Sequence, residues 1–246
     1  MKNRIIIMLL TLVGSAGALF AGGISVDAGL TPAQDRFILR TQYRFMSMSN
    51  SMMITRTHMT PLVLAYGVTP GFSVMARGMY VHRTFSDRNG IKNGLNDPFL
   101  LTKFRLYRKN TRSYVLGVAP HIASNIPVGS GEVSNRVWSP EAGLNISFRP
   151  RFLAVDLSTS YTFTDISARS EGVSGDVFSL NTAFSAFIPV KGMSSTVVSP
   201  VMELSYIHKA RNRESNVEAN DILFLSPGVS LIHSSLVVEA LVQLAD

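Results

Sequence analysis

Charged side chains recur at every second position of several apolar stretches in this chain, and they divide by sign along its length. In residues 37–45, for example, Arg40 and Arg44 alternate with Leu39 and Tyr43. Because successive side chains of a β-strand point to opposite faces, such residues share one face. The early stretches supply the basic members of this set and the late stretches the acidic members: Arg40, Arg44, Arg77, Lys103, Arg105, Glu141, Asp156, Glu203 and Glu239. The sequence therefore predicts a basic wall that faces an acidic wall.

Two interpretations of these walls follow from elementary electrostatics. Unpaired charges in a confined interior are costly, so the two signs can pair and brace a narrow lumen. The walls can also line a polar passage whose transverse field orients and selects small polar or anionic solutes. The two interpretations can hold together. The faces are assigned by counting alternate residues, and a β-bulge would reverse that assignment locally.

The histidines offer little for catalysis or metal binding. His121 lies near Ser124 and Asn125, which suggests a nucleophile with its base, but Ser and Asn are also common where a loop begins. Neither a glycine-rich phosphate loop nor a zinc motif is present. Three other histidines fall at strand ends or in loops without metal-ligand spacing: His58, His82 and His208. We therefore predict no catalytic residue, metal or cofactor, and keep a lipid-modifying enzyme as an alternative.

The elements that must position these charges are amphipathic strands. In Leu153–Phe163 the odd positions are Leu, Val, Leu, Thr, Tyr and Phe, and the even positions are Ala, Asp, Ser, Ser and Thr. A tilted strand needs about 9–11 residues to cross a bilayer. Repeated strands of this kind, each closed by a turn, are typical of outer-membrane β-barrels. The pattern predicts an all-β, antiparallel, up-and-down transmembrane barrel.

The connections alternate in length. Short turns are predicted at 67–71, 108–112, 149–151, 189–195 and 233–235, and longer loops at 47–58, 84–96, 124–136, 164–175 and 209–220. Bacterial barrels place short turns in the periplasm and longer loops outside. This alternation predicts the orientation of the barrel as well as its fold.

The N-terminus predicts export. A short basic region with Lys2 and Arg4 precedes the apolar run Ile5–Val13, and Ala16-Gly17-Ala18 fits a cleavage site, with a cut after Ala21 as the competing choice. No later segment approaches the roughly 18 apolar residues of a spanning helix. We predict a signal peptide over 1–21, a periplasmic lead-in over 22–35 and a barrel over 36–246.

The predicted strands number about eleven, whereas bacterial barrels of this type have an even number. Either Ile24–Leu30 in the lead-in is a further strand, or the sequence is a fragment that lacks its final strand. We favour the fragment, and a complete barrel of about twelve strands is expected in both cases.

The net charge of +7 raises the question of nucleic acid as a partner. The basic residues lie on polar strand faces and in turns, and no run of five occurs. The aromatic residues fall mostly near strand ends, as in an interfacial girdle. The sequence thus predicts outer-membrane lipid and small solutes as partners, and excludes nucleic acid.

Two segments resemble a known family. Gly94–Tyr107 has the pattern G-x-x-D-P-x-x-x-x-K-x-R-x-Y, and Asn125–Gly131 has x-x-P-x-G. Both resemble strands of the outer-membrane proteins named for the meta-pathway of phenol degradation, as do Pro140–Leu144 and the strand with Pro227 and Gly228. The resemblance implies a transporter-like outer-membrane barrel, and it transfers neither a substrate nor an active-site residue. This chain departs from the family by ending early.

We therefore expect a bacterial outer-membrane channel for passive passage of small solutes, with aromatic and anionic compounds as candidates. The main alternative is a closed barrel that has a structural or surface-interaction role.

Overall fold

The protein folds as one antiparallel β-sheet. The computed structural model describes residues 5–15, 24–49, 54–86, 90–134, 136–164, 175–193, 195–212, 217–234 and 236–245. Among these residues, no helix has the length and apolarity that a membrane-spanning helix needs. The strands are β1 (Ile5–Ser15), β2 (Phe37–Ser49), β3 (Ile54–Thr69), β4 (Phe72–Phe85), β5 (Ile91–Leu95), β6 (Phe99–Phe104), β7 (Tyr107–Asn110), β8 (Tyr114–Asn125), β9 (Ser139–Pro150), β10 (Leu153–Thr162), β11 (Val177–Ala186), β12 (Ile188–Pro189), β13 (Thr196–Lys209), β14 (Asn220–His233) and β15 (Leu236–Ala245).

Twelve of these strands form a closed ring. Its order is β1, β2, β3, β4, β6, β8, β9, β10, β11, β13, β14 and β15, and the pairing of β15 with β1 returns it to its start. The three short strands lie beside the ring, where β5 pairs with β4, β7 with β8 and β12 with β13. The predicted all-β, antiparallel, up-and-down barrel of about twelve strands is confirmed.

Apolar side chains cover the outside of the ring, and small or polar side chains fill its inside. In β10 the outward Leu153 and Tyr161 are 51% and 40% exposed, whereas the inward Ala154 and Asp156 are 1% and 0% exposed. Strands β2, β3, β4, β8, β9, β11, β13, β14 and β15 follow the same alternation, with outward Leu, Phe, Ile and Tyr. A register shift in the pairing of β3 with β4, between Gly67 and Thr69, lies beside a short turn and leaves the faces of the long strands unchanged.

Several strands continue into segments predicted as loops. In the predicted loop 47–58, β2 runs to Ser49 and β3 starts at Ile54, with Ser47 opposite Arg56. In the predicted loop 84–96, β5 pairs with the end of β4. Polar composition indicates exposure to water rather than a loop, because the backbone can still pair where side chains are polar. Most of the loop predicted at 164–175 lies outside the described residues.

Strand β1 occupies part of the predicted signal peptide. It pairs antiparallel with β15 and with β2 along nearly its whole length. Cleavage after Ala18 or Ala21 stays a prediction, and both positions lie outside the described residues. Cleavage would remove β1 and leave β2 and β15, both antiparallel to it, running in the same direction. N-terminal sequencing of the purified protein tests whether β1 belongs to the mature barrel.

The residues between β1 and β2 give the clearest correction to the predicted organisation. Residues 24–30 were a candidate twelfth strand, and 22–35 a periplasmic lead-in. In the structure 24–31 form no strand and lie inside the barrel, with Ile24 and Thr31 at 0% and 1% exposed. The twelfth strand is β1. We call residues 24–31 the lumenal segment.

Candidate functional site

Glu203 of β13 binds the start of the lumenal segment. Its carboxylate is 0% exposed. It accepts hydrogen bonds from the backbone N–H of Ile24, from the backbone N–H of Ser25 at 2.9 Å and from the Ser25 hydroxyl. Ile24 also packs in a cluster with Val201 of β13 and Leu241 of β15. A buried carboxylate with three donors fixes the chain against this wall of the barrel.

Gly29 lets the lumenal segment approach the opposite wall. Its N–H donates to the Ser147 hydroxyl at 2.8 Å. A Cβ atom at position 29 would lie 2.7 Å from the carbonyl oxygens of Gly117 and Asn145. Only glycine fits at this distance, because real Cβ atoms do not approach backbone oxygens so closely. The segment therefore spans the lumen from β13 to β8 and β9.

Lys103 and Arg105 also bind this segment. Lys103, 7% exposed, donates from Nζ to the Ala28 carbonyl at 2.8 Å and lies 3.8 Å from an Asp27 carboxylate oxygen. Arg105 donates to the Thr31 hydroxyl at 2.8 Å. Two of the predicted basic residues thus bind the chain itself and hold the lumenal segment inside the barrel.

The acidic wall is bonded throughout. Glu239 of β15 accepts from Arg40 at 3.1 Å and from Ser230 at 3.2 Å. Asp156 of β10, 0% exposed, accepts from the Ser147 hydroxyl and pairs with Arg149 at 3.3 Å. These contacts stabilise the barrel wall. Asp156 and Glu239 bond to groups on neighbouring strands, and Glu239 also bonds to Arg40 on the far side of β1.

Glu141 belongs to a cluster around His121. Its carboxylate lies 3.2 Å from His121 Nε2 and accepts from Thr162 at 2.8 Å. On the other side of the imidazole, Nδ1 of His121 lies 2.9 Å from Nδ2 of Asn145. The imidazole, 3% exposed, packs over Gly143, where a side chain would collide with it.

Arg44 and Arg77 contact neutral groups of the barrel wall. Arg44 donates twice to Gln42 Oε1, at 2.7 and 3.1 Å, and the Arg77 guanidinium lies 4.4 Å from the centre of the Phe99 ring. Within the described part of the chain, neither forms an ion pair with a carboxylate. The two guanidinium groups also repel each other electrostatically. Arg105 has no carboxylate partner in the described part of the chain either, and donates to the Thr31 hydroxyl.

The nucleophile alternative does not assemble at His121. His121 faces the lumen, and Ser124, three residues along a regular strand, faces the other side. The Ser124 hydroxyl instead donates to the Asn125 carbonyl at 3.0 Å. No three His, Asp or Glu side chains among the described residues converge in a way that could hold a metal ion.

The two motifs that carry the family resemblance touch each other. The Asp97 carboxylate accepts from the Gly129 N–H at 2.8 Å and from the Ser134 hydroxyl at 2.5 Å. Arg136 Nε donates to the Gly129 carbonyl at 3.0 Å. Asp97 therefore fastens the 126–136 loop to the β5–β6 connection at the loop end of the barrel.

The sequence did not reveal the lumenal segment. It also did not reveal the residues that bond to this segment and to the acidic wall. Ser147 and Arg149 lie on the inward face of β9 by simple alternation, so counting could have found them. The signal for the lumenal segment is weaker. Residues 24–31 alternate apolar with polar or small residues, as a strand does, but their position in the lumen depends on contacts far apart in sequence.

Comparisons with known proteins leave the family of this chain open. No family model matches it, and no curated protein matches it. Its structure is similar to an outer membrane channel from Pseudomonas putida F1, at 10% identity and a TM-score of 0.45, covering 99% of this chain and 95% of that one. It is also similar to a bacterial polysaccharide outer membrane secretin, at 10% identity and a TM-score of 0.32, covering 97% of both. Likenesses this distant assign no role to any residue here.

Proposed function

We propose that this protein is a bacterial outer-membrane channel that passes small solutes and prefers anions. The apolar outer face of the closed ring supports the membrane location. A closed ring leaves no strand edge unpaired, which a bilayer requires.

The pair Arg44 and Arg77 carries the proposed preference. Both lie on the inward face of the barrel without a carboxylate partner in the described residues. Asp27 and Glu141 are the negative charges that act on Arg77 from a distance. A guanidinium offers a planar fork of donors to carboxylate or phosphate groups. A small anion can therefore replace water at these groups as it passes.

A closed barrel with a structural role is the second candidate, and the lumenal segment favours it. Residues 24–31 bond to β13, to β9 and to the residues around β6. In the channel proposal this segment narrows the passage, and in the closed-barrel proposal it seals the passage.

Single-channel recording in planar bilayers separates these candidates. The full chain is compared with a variant in which residues 24–31 are replaced by an equally long Gly-Ser stretch. Folding of both is checked by the gel shift between heated and unheated samples. The channel proposal expects discrete conductance steps from the unaltered chain and larger steps from the variant. Conductance from the variant alone would support the sealed barrel, and silence from both folded proteins would contradict passage altogether.

Liposome swelling extends the test to solutes. Sugars of increasing size and their carboxylate derivatives are compared at equal osmolarity. We expect the carboxylates to enter faster than neutral sugars of the same size. Equal rates at every size would contradict a charge-based preference.

A further inference from the structure

Cations lie among aromatic rings on the outer face of the barrel at its short-turn end. Lys109 of β7 lies with Nζ 5.9 Å from the centre of the Tyr114 ring, and the Arg151 guanidinium lies 5.9 Å from the centre of the Phe152 ring. Phe152 is 61% exposed and Tyr107 is 48% exposed. We call Tyr107, Lys109, Tyr114, Arg151 and Phe152 the turn-end patch.

The strand register places Lys109 on the outside of the barrel. It pairs with Leu116, which lies on the outward face of β8, whereas its neighbour Arg108 pairs with the buried, inward Gly117. Tyr114 pairs with Pro150, next to Arg151. The two cations therefore flank one aromatic stretch that spans two neighbouring turns.

The charges of this end are one-sided. Among the described residues of the short turns and of the chain entering β2, the exposed cations are Arg36, Arg108, Lys109, Arg112, Arg151 and Lys191. Asp35 is the acidic residue there, and its carboxylate accepts the Tyr66 hydroxyl at 2.9 Å. At the loop end, by contrast, the rings bond to acids. Tyr161 donates to Asp176 at 2.8 Å and Tyr206 to Asp221 at 2.7 Å.

We propose that the turn-end patch binds the phosphate of an anionic phospholipid in the leaflet that surrounds the short turns. This inference rests on the proposed membrane location and goes beyond the channel function. Aromatic rings at the edge of an apolar belt lie at the level of the lipid headgroups. Lys109 and Arg151 stand beside the rings at that level, where a lipid phosphate meets the protein.

The charge of the headgroup decides between lipid classes. A zwitterionic headgroup brings its own ammonium, which competes with Lys109 and Arg151 for the phosphate. An anionic headgroup brings no such competitor, so the patch selects for it.

Native mass spectrometry tests the proposal on the full chain in detergent micelles that contain equal amounts of phosphatidylglycerol and phosphatidylethanolamine. The unaltered protein is expected to retain severalfold more phosphatidylglycerol. The double variant Lys109→Gln with Arg151→Gln is expected to bring that ratio close to one. The matched control, Arg56→Gln with Lys92→Gln, removes two exposed cations nearer the loop end and is expected to keep the preference.

Two further arms make the result decisive. Soluble glycerol phosphate in excess should not displace the retained lipid, and displacement would show a site for free anions and overturn the lipid assignment. If the double variant does not fold, Lys109→Gln alone carries the comparison. An unchanged lipid ratio in a folded variant would overturn the proposal that the turn-end patch binds anionic phospholipid. Planar-bilayer conductance of the same variant stays as in the unaltered protein, so a failure of the patch is distinguishable from a failure of the channel.

Discussion

Glu141, Asp156, Glu203 and Glu239 of the acidic wall accept hydrogen bonds from neighbouring groups. Arg44 and Arg77 on the basic wall, by contrast, form no ion pair among the described residues. Glu203 bonds to the lumenal segment, and Asp156 bonds to Ser147 and Arg149. In the described part of the chain, Arg44 donates to the Gln42 amide and Arg77 packs over the Phe99 ring.

The two interpretations of the charged walls therefore apply to different residues. Bracing belongs to the acidic wall and to Arg40, Lys103 and Arg105, whose partners are protein groups. We propose that contact with solutes belongs to Arg44 and Arg77. Substitutions on the first group should change stability, and substitutions on the second should change selectivity.

The largest expected effect is on Glu203. Glu203→Ala leaves the backbone N–H groups of Ile24 and Ser25 without an acceptor in a buried place. We expect the free energy of unfolding to fall by about 3 kcal/mol, measured as the urea midpoint of refolded protein in micelles. Glu203→Gln keeps an acceptor oxygen and should cost less. Equal urea midpoints for Glu203→Ala and the unaltered protein would contradict the role of Glu203 in holding the lumenal segment.

Asp156 should come next. Asp156→Ala removes the acceptor of Ser147 and the counter-charge of Arg149, at a cost of about 2 kcal/mol. Asp221→Ala is the control, because that carboxylate is exposed at the loop end and should leave the urea midpoint unchanged. Unfolding of the two variants at the same urea concentration would contradict the stabilising role of Asp156.

Gly29→Ala tests the lumenal segment without changing any charge. The added Cβ meets backbone oxygens at 2.7 Å, so the segment must shift, and we expect a loss of about 1–2 kcal/mol together with larger conductance steps. Gly71→Ala is the matched control, because a Cβ there has nothing within 4 Å. Equal stability and equal conductance steps for the two variants would contradict close packing of the lumenal segment against β8 and β9.

The smallest effect on stability is expected from the basic pair. Arg44→Gln with Arg77→Gln removes two inward charges that form no ion pair among the described residues, so the urea midpoint should change little. A clear loss of stability would mean that these arginines are braces like the others.

The sequence predicted the wall of the barrel better than its contents. The alternation in residues 153–163 predicts which side of β10 faces outward, because side-chain direction on a strand depends only on local geometry. The inward position of Arg44, Asp156 and Glu203 follows from the same rule. Their partners do not, since Glu203 meets Ile24 across 179 residues of chain. The alternation in residues 24–31 predicts a strand, whereas distant contacts, such as Glu203 with Ser25 and Gly29 with Ser147, hold these residues in the lumen instead.

The most direct test of the central claim is the reversal potential in a potassium chloride gradient across a planar bilayer. We predict that the unaltered protein prefers chloride, that Arg44→Gln with Arg77→Gln loses most of this preference, and that Asp156→Asn keeps it. Arg56→Gln, on the outer face of β3, serves as the control for a lost positive charge and should match the unaltered protein. A preference that survives the loss of both arginines, or a preference for potassium in the unaltered protein, would contradict the account.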